Sequence, residues 1–382
     1  MIKISTCWRY SFLALTLIHT AMAQVPTSQR LDPNMTLRKA DSEGIIWYDP
    51  RKKPFDLTGF EWIEYDQIYR RLPVHSDWPV REAVDQLANH TAGGQVRFRT
   101  DSRRILIRVE LRERSGMYHM PATGQSGFDL YMNREGIPRY LKTSRFPHDT
   151  IRYEVEMYSA EESEMQTFTL NFPLYNGVNS LQIGLEEGAE LRSPPPFGIS
   201  GKIVIYGTSI TQGGCVTRPG MAYSNILSRH LDIQFVNLGF SGNGRGEPEL
   251  AHLINEISGK RLIILDYEAN AGATIKNTLG PFIDILREKQ PEIPILVVSK
   301  IRYATAWQGS EAYRNLMDLR DFQRHLVESR KNAGDDHIYF LDGSEILGND
   351  YDECTVDGVH PTDLGSLRIA ETLQSALENI LD

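Results

Sequence analysis

The chain has 382 residues and a formal net charge of −9, from 41 Lys and Arg against 50 Asp and Glu. Its length favours two domains over one, and 41% hydrophobic and 24% charged residues are ordinary for a globular protein. An acidic protein is a poor match for nucleic acid or an anionic membrane surface, so we expect neither partner. The charge suits a neutral substrate better.

The first residues predict a secretory signal peptide over 1–23. Lys3 and Arg9 precede the apolar stretch 12–18, and the small-residue cleavage site 21–23 follows. The alternative is a buried N-terminal helix. The stretch is too short to span a bilayer, and no later run is long enough, so the mature chain is expected to be exported and to have no integral membrane segment. Removal of Lys3 and Arg9 with the leader takes the net charge from −9 to −11.

Residues 24–193 are expected to form a β-rich domain. Between about 44 and 185, short segments with period-two alternation are separated by Gly, Asn and Pro. The predicted strands are 96–99, 105–111, 128–132, 153–158, 168–172 and 181–185, with one short helix near 80–87. This pattern favours an antiparallel β-sandwich.

A triple proline at 194–196 predicts a stiff linker over 194–200, and the pattern changes after it. Continuous apolar strands are predicted at 203–206, 233–238, 262–265, 295–298 and 338–341. The predicted helices between and after them are 222–231, 248–257, 275–289, 313–331 and an amphipathic segment from 364 to 380. Alternating strands and helices predict an α/β domain over 201–382, with a parallel sheet covered on both faces.

Two short motifs, about 150 residues apart, supply the chemistry. Ser209 lies in Gly-Thr-Ser-Ile-Thr directly after the first parallel strand, and Asp357 and His360 lie in Asp-Gly-Val-His-Pro before the last helix. Ligands of open α/β sheets bind beyond the carboxyl ends of the strands. We therefore predict Ser209 as nucleophile, His360 as base and Asp357 as the carboxylate that orients it. The alternatives are an ordinary glycine-rich turn around Ser209, and an Asp-Gly turn beside a surface histidine at 357–360.

Two loops after the next strands could stabilise an oxyanion. Gly242 lies in a glycine-rich loop after the second strand, and Asn270 follows the third. A bare backbone N–H of Gly242, the N–H of Ser209 and the amide of Asn270 would be the three donors. Asn237 and Asn243 are alternative amide donors, and both loops also read as ordinary turns.

Cys215 and Cys354 are the cysteines that remain after leader cleavage. Cys215 follows Ser209 by six residues, and Cys354 precedes His360 by six. If the two catalytic loops meet, these cysteines approach each other, and an exported compartment permits a bond. The hypothesis is a Cys215–Cys354 disulfide, and the alternative is two free, half-buried thiols.

The motifs of residues 201–382 resemble those of the SGNH (GDSL-type) hydrolases. Ser209, Gly242 and Asn270 match the serine, glycine and asparagine blocks of that family, and Asp357 and His360 match its Asp-x-x-His-Pro block. The resemblance implies a flavodoxin-like, three-layer αβα sandwich around a five-stranded parallel sheet, a Ser-His-Asp triad, and no cofactor or metal. The sequence departs from the family at Thr208, where Asp is usual, and around Asn270.

The segment Gly127-Phe128-Asp129-Leu130-Tyr131 matches the Gly-x-Asp-Leu-Tyr signature of a β-rich domain found ahead of some bacterial SGNH hydrolases. The combination resembles exported carbohydrate esterases, which are periplasmic or secreted. It implies a jelly-roll-like sandwich ahead of the hydrolase domain. It also implies an acylated oligo- or polysaccharide, usually acetylated, as substrate.

The expected function is therefore a serine esterase that hydrolyses short-chain acyl esters on a carbohydrate. One alternative is a lipase, phospholipase or thioesterase with the same triad. The other is a non-catalytic glycan-binding protein, in which the front-domain residues Trp47, Trp62 and Trp78 would stack on sugars.

Overall fold

The computed structural model describes residues 39–381. The predicted signal peptide, 1–23, lies outside the described residues. From Ala40 onward the chain forms one compact unit. A β-rich region and an α/β region pack together within it, and the predicted linker 194–200 falls between the last strand of the first and the first strand of the second.

The β-rich region contains two antiparallel sheets that share one core. One sheet has the order β1-β9-β4-β7, and the other has the order β10-β3-β8-β5-β6 with β2 added on β3. The strands are β1 Ile45–Tyr48, β2 Asp56–Thr58, β3 Gln95–Thr100, β4 Arg104–Leu111, β5 Asp129–Arg134, β6 Ile137–Thr143, β7 Arg152–Ser159, β8 Gln166–Asn171, β9 Val178–Glu186 and β10 Leu191–Arg192. Short helices lie at α1 Ile63–Asp66, α2 Glu82–Leu87 and α3 Ala122–Gln125. The antiparallel sandwich predicted from the alternation is confirmed.

The α/β region is a five-stranded parallel sheet of order β12-β11-β13-β14-β15. Its strands are β11 Lys202–Gly207, β12 Gln234–Gly239, β13 Lys260–Asp266, β14 Ile295–Val298 and β15 Ile338–Leu341. The helices are α4 Ser209–Gln212, α5 Tyr223–Leu231, α6 Pro248–Glu256, α7 Glu268–Ala271, α8 Ile275–Lys289, α9 Glu311–Asn332 and α10 Asp363–Leu381. The predicted three-layer architecture is confirmed.

The layers explain why β11 is apolar at successive positions. Ile203 and Ile205 pack into the core on one face of the sheet, with the apolar side of α10. Val204 and Tyr206 pack into the core on the other face, with α6 and α8. A strand covered on both faces buries its central side chains, so no charged residue interrupts the sequence from Ile203 to Tyr206.

The Gly-x-Asp-Leu-Tyr signature joins the two regions. The fully buried carboxylate of Asp129 accepts hydrogen bonds from Arg218 Nη1 and from the N–H of Gly220, both at 2.8 Å. The Tyr131 hydroxyl accepts a further bond from Arg218 Nη1 at 2.5 Å. Breaking a buried ion pair typically costs about 3–5 kcal/mol. The signature therefore fixes the sandwich to the segment that follows the turn 207–211 around the predicted nucleophile Ser209, here called the nucleophile turn.

Arg71 makes a second junction at the carboxyl end of β12. Its guanidinium is completely buried and donates to the carbonyls of Leu87, His90, Asn237 and Gly239. The Phe240 ring lies 4.8 Å below it. These bonds hold the start of the loop that carries Gly242.

Candidate active site

The nucleophile turn begins the short helix α4, and the side chains of Thr208 and Thr211 cap each other's backbone there. Thr208 Oγ1 accepts from the N–H of Ile210 at 3.3 Å, and Thr211 Oγ1 accepts from the N–H of Thr208 at 3.2 Å. Gly207 is required because a Cβ there would lie 1.9 Å from Thr211 Oγ1. Thr208, where the family usually has Asp, therefore serves as the N-cap of α4 and places Ser209 at its first position.

Ser209, His360 and Asp357 form one hydrogen-bonded chain. His360 Nε2 lies 2.9 Å from Ser209 Oγ, and His360 Nδ1 lies 2.7 Å from Asp357 Oδ2. The other carboxylate oxygen of Asp357 accepts from the N–H groups of Val359 and His360 at 3.0 and 2.8 Å. This pairing fixes the tautomer in which Nδ1 carries the proton and Nε2 can accept one from the serine.

The surroundings keep Asp357 ionised. Partial burial would raise the pKa of this carboxyl, but the bonds from His360 and Val359 outweigh it and lower the pKa below its usual value. The carboxylate can therefore stabilise an imidazolium at neutral pH. The Ser209 side chain is nearly enclosed, with 6% of the residue's surface exposed.

Three N–H groups face no protein acceptor at this edge of the sheet. Within the described chain, the N–H of Ser209, the N–H of Gly242 and the amide nitrogen of Asn270 donate no hydrogen bond. The Asn270 side-chain oxygen Oδ1 accepts from the N–H of Gly244 at 3.2 Å, which ties this side chain to the Gly242 loop. A Cβ on Gly244 would lie 2.1 Å from the Gly207 carbonyl, so that loop contacts the nucleophile turn directly.

The alternative amide donors are already engaged. Asn237 Nδ2 donates to the Thr211 carbonyl at 2.7 Å and to Ser224 Oγ at 3.0 Å. Asn243 Nδ2 donates to the Ser241 carbonyl at 2.8 Å. Asn270 is therefore the member of this set whose amide remains available to a developing oxyanion.

The half-buried carboxyl of Asp266 lies beneath the nucleophile turn, and the motifs gave no hint of its role. Asp266 Oδ2 accepts from Tyr223 Oη at 2.6 Å and from Thr211 Oγ1 at 3.0 Å. Burial raises the pKa of Asp266 to about 6, although these two hydrogen bonds oppose the shift. Thr211 thus links the half-buried Asp266 carboxyl to the cap of the helix that carries Ser209.

The β-rich region holds the nucleophile turn from its other side. Tyr175 Oη donates to the Ser209 carbonyl at 3.0 Å. Gln212 Nε2 donates to the Leu174 carbonyl and lies 3.0 Å from His90 Nδ1, while its oxygen accepts from the N–H of Ser241. The position of Ser209 therefore depends on both regions.

His119, from the β-rich region, packs against the imidazole of His360. The two rings meet edge to face at 5.6 Å between centroids. Potential ligand atoms of His119, Cys215 and His360 all lie within 4.8 Å of one another. A soft divalent cation could bind all three only by taking a ring nitrogen of His360, the predicted base, as a ligand. His119 Nδ1 is buried without a partner among the described residues. Sequence spacing missed this trio because long stretches of chain separate its members.

The proposed Cys215–Cys354 disulfide is wrong for this structure, because both cysteines are free and buried. The loops meet, but the sulfurs enter different clusters. Cys215 packs beside Met120, and burial raises the pKa of its thiol to about 12. Cys354 Sγ instead lies 3.1 Å from Arg368 Nη1, in the layer under α10.

The three tryptophans considered as sugar-stacking residues already make contacts within the protein. Trp47 donates to Asp41 and lies under the Arg108 guanidinium, at 4.0 Å. Trp62 packs against the α/β core, and Trp78 stacks on the His252 ring at 3.6 Å.

Two family models match this chain. The model described as the GDSL-like lipase/acylhydrolase family matches residues 200–378. The GxDLY model, described as the N-terminus of the SGNH-hydrolase type of esterase, matches residues 45–191. No curated protein matches the chain. Within residues 39–381, no helix is both long enough and apolar enough to cross a membrane.

Solved structures share both regions. A Bacteroides ovatus protein described as a GDSL-like lipase is 30% identical, has a TM-score of 0.81, and aligns over 88% of this chain and 98% of its own. The salicylyl-acyltransferase SsfX3 of a tetracycline biosynthetic pathway is 19% identical, with a TM-score of 0.72 over 89% and 99%. A family two carbohydrate esterase of Clostridium thermocellum, solved with cellohexaose, is 16% identical, with a TM-score of 0.54 over 76% and 93%. The last two likenesses establish a shared fold.

Proposed function

The chain belongs to the GDSL-like lipase/acylhydrolase family, and on that premise we propose that it is a serine esterase acting on an acylated carbohydrate. The proposed reaction is the removal of short acyl groups, acetyl above all, from an oligo- or polysaccharide. The observation that carries the proposal is the hydrogen-bonded chain from Ser209 Oγ through His360 to Asp357, at 2.9 and 2.7 Å.

In the first half-reaction, Ser209 Oγ attacks the ester carbonyl carbon while His360 Nε2 takes the hydroxyl proton. The carbonyl oxygen becomes an oxyanion, and Asp357 stabilises the imidazolium. The carbon–oxygen bond to the sugar then breaks, and His360 gives its proton to the departing sugar oxygen. Ser209 is left acylated.

In the second half-reaction, His360 takes a proton from water as the water oxygen attacks the acyl carbon. The bond from that carbon to Ser209 Oγ breaks, and the imidazolium returns the proton to the serine. The carboxylic acid leaves. In both steps the oxyanion would accept hydrogen bonds from the N–H groups of Ser209 and Gly242 and from the Asn270 amide, which have no other acceptor among the described residues.

Support for a carbohydrate substrate is of two kinds. The family two carbohydrate esterases from Clostridium thermocellum and Cellvibrio japonicus align over 93% and 98% of their lengths and so share both regions of this fold. The predicted leader and the acidic composition fit a protein that meets polysaccharides outside the cytoplasm. We infer export to the periplasm or the medium on this basis.

The test is acetate release from a panel of acetylated plant and algal polysaccharides, with Ser209→Ala as the matched blank. We expect release by the wild-type protein and none above background by the variant. A series of 4-nitrophenyl esters then separates the esterase from a lipase. Preference for octanoate over acetate, with no release from any polysaccharide, would contradict the proposal.

A further inference from the structure

We propose that Tyr118 forms an aromatic subsite that stacks on a sugar ring of the substrate beside the scissile ester. This inference rests on the proposed carbohydrate esterase function. It assigns a substrate-binding role to the β-rich region, on the loop between β4 and α3.

Tyr118 is connected to the catalytic base by two ring contacts. Its ring stacks on His119, with centroids 4.4 Å apart and planes 21° from parallel. The His119 ring in turn meets the His360 ring edge to face at 5.6 Å. His119 is therefore a positioning residue: its ring lies between the Tyr118 ring and the His360 imidazole that protonates the leaving sugar.

The Tyr118 ring is far more exposed to solvent than most of the aromatic side chains that the structure describes. It is 92% exposed, and among the described aromatic side chains only Tyr65 and Trp307 are also more than half exposed. Trp307 lies three residues after Ala304. The N–H of Ala304 donates to the carbonyl of Gly358 at 2.9 Å, and Gly358 precedes His360 by two residues. Two of the three most exposed aromatic side chains thus lie in loops that contact the catalytic base or its own loop. A flat apolar ring at such a place is suited to the C–H face of a sugar.

The loop that carries Tyr118 is anchored on both sides of the ring. The N–H groups of Gly116 and Met117 donate to Gln125 Oε1, both at 3.2 Å. On the other side, Met120 is buried in the cluster that contains Cys215. Because the backbone is already held, binding would order little beyond the ring itself, and this preorganisation favours affinity.

The experiment compares two esters in four proteins. The substrates are an acetylated cello-oligosaccharide and 4-nitrophenyl acetate, and the proteins are wild type, Tyr118→Ala, Tyr118→Trp and Tyr65→Ala. Tyr65 is the matched control because it is 84% exposed and makes no ring contact or side-chain hydrogen bond with the described catalytic loops. The readout is the ratio of kcat/KM for the sugar ester to kcat/KM for the aryl ester.

We expect Tyr118→Ala to lower this ratio about tenfold, through a raised KM for the sugar ester, which is the scale of one lost aromatic stacking contact. Tyr118→Trp should restore it, and Tyr65→Ala should leave it at the wild-type value. An unchanged ratio in Tyr118→Ala, or an equal fall in Tyr65→Ala, would overturn the subsite while leaving the esterase function standing. Failure of the wild-type protein to hydrolyse the sugar ester would instead overturn the proposed function and the subsite with it.

Discussion

Asp266 makes the stability of this protein depend on pH in a way that one substitution can isolate. Its carboxyl is half-buried at the end of β13, accepts hydrogen bonds from Tyr223 and Thr211, and has a pKa raised to about 6. In the unfolded chain the same group has a pKa of about 3.9. The folded protein therefore binds this proton more tightly than the unfolded chain does.

The sign follows from that difference. Well below pH 4 both states are protonated, and Asp266 contributes its full stability. That contribution is lost as the pH rises from about 4 through 6. A difference of about 2 between the folded and unfolded pKa corresponds to about 3 kcal/mol, at about 1.36 kcal/mol for each pH unit. An asparagine in place of Asp266 would be neutral at every pH, and its carbonyl oxygen can accept both existing bonds. Because the unfolded-state carboxyl is already about half ionised at pH 4, we expect Asp266→Asn to be more stable, relative to wild type, by about 2.5 kcal/mol at pH 8 than at pH 4.

The pH dependence is a cleaner readout than the stability at one pH. The new amide NH₂ would be buried, and an unsatisfied donor costs about 1–3 kcal/mol, but that cost is the same at both values of pH. Urea unfolding of wild type and Asp266→Asn at pH 4 and pH 8 measures the difference directly. Asp336→Asn, on an exposed residue without a side-chain partner in the described chain, is the control. A wild-type-to-variant difference that does not change between pH 4 and pH 8 would refute a raised pKa for Asp266.

Three further outcomes are expected. Asn270→Ala should lower kcat for 4-nitrophenyl acetate ~100–1000-fold with little change in KM, since the amide would act on the oxyanion alone. Asp357→Asn should lower kcat by roughly 10,000-fold, because the bond that fixes the tautomer of His360 is lost. Titration of the unfolded, unreduced mature protein should find two thiols, from Cys215 and Cys354, and a count of zero would restore the disulfide.

The parallel sheet could be predicted from sequence because each of its strands is a continuous apolar run, and the helix predicted at 275–289 matches α8. In the β-rich region the prediction missed β1, β2, β6 and β10. β6 is an exposed edge strand that contains Pro138, and β10 has two residues, so neither shows clean alternation. Elements that pair at an edge carry weaker sequence signals than those buried in a core.

The meeting of Ser209 with His360 followed from the rule that the carboxyl ends of parallel strands share one edge. The roles of Tyr175 and His119 did not, since both come from the β-rich region and no periodicity links them to the triad. The disulfide hypothesis failed for a related reason. Spacing along the chain predicted that two loops meet, but it could not predict where their side chains point.

Covalent labelling distinguishes Ser209, activated by His360, from every other candidate nucleophile. Wild-type protein would be treated with a fluorophosphonate and digested, and the modified peptide identified by mass spectrometry, while loss of acetate release is followed in parallel. We expect one adduct per chain, on Ser209, that forms at the same rate as activity is lost. The adduct should be absent from Ser209→Ala and should form more slowly in His360→Ala. An adduct on another residue, or full ester hydrolysis by folded Ser209→Ala, would contradict the assignment of Ser209 as the nucleophile.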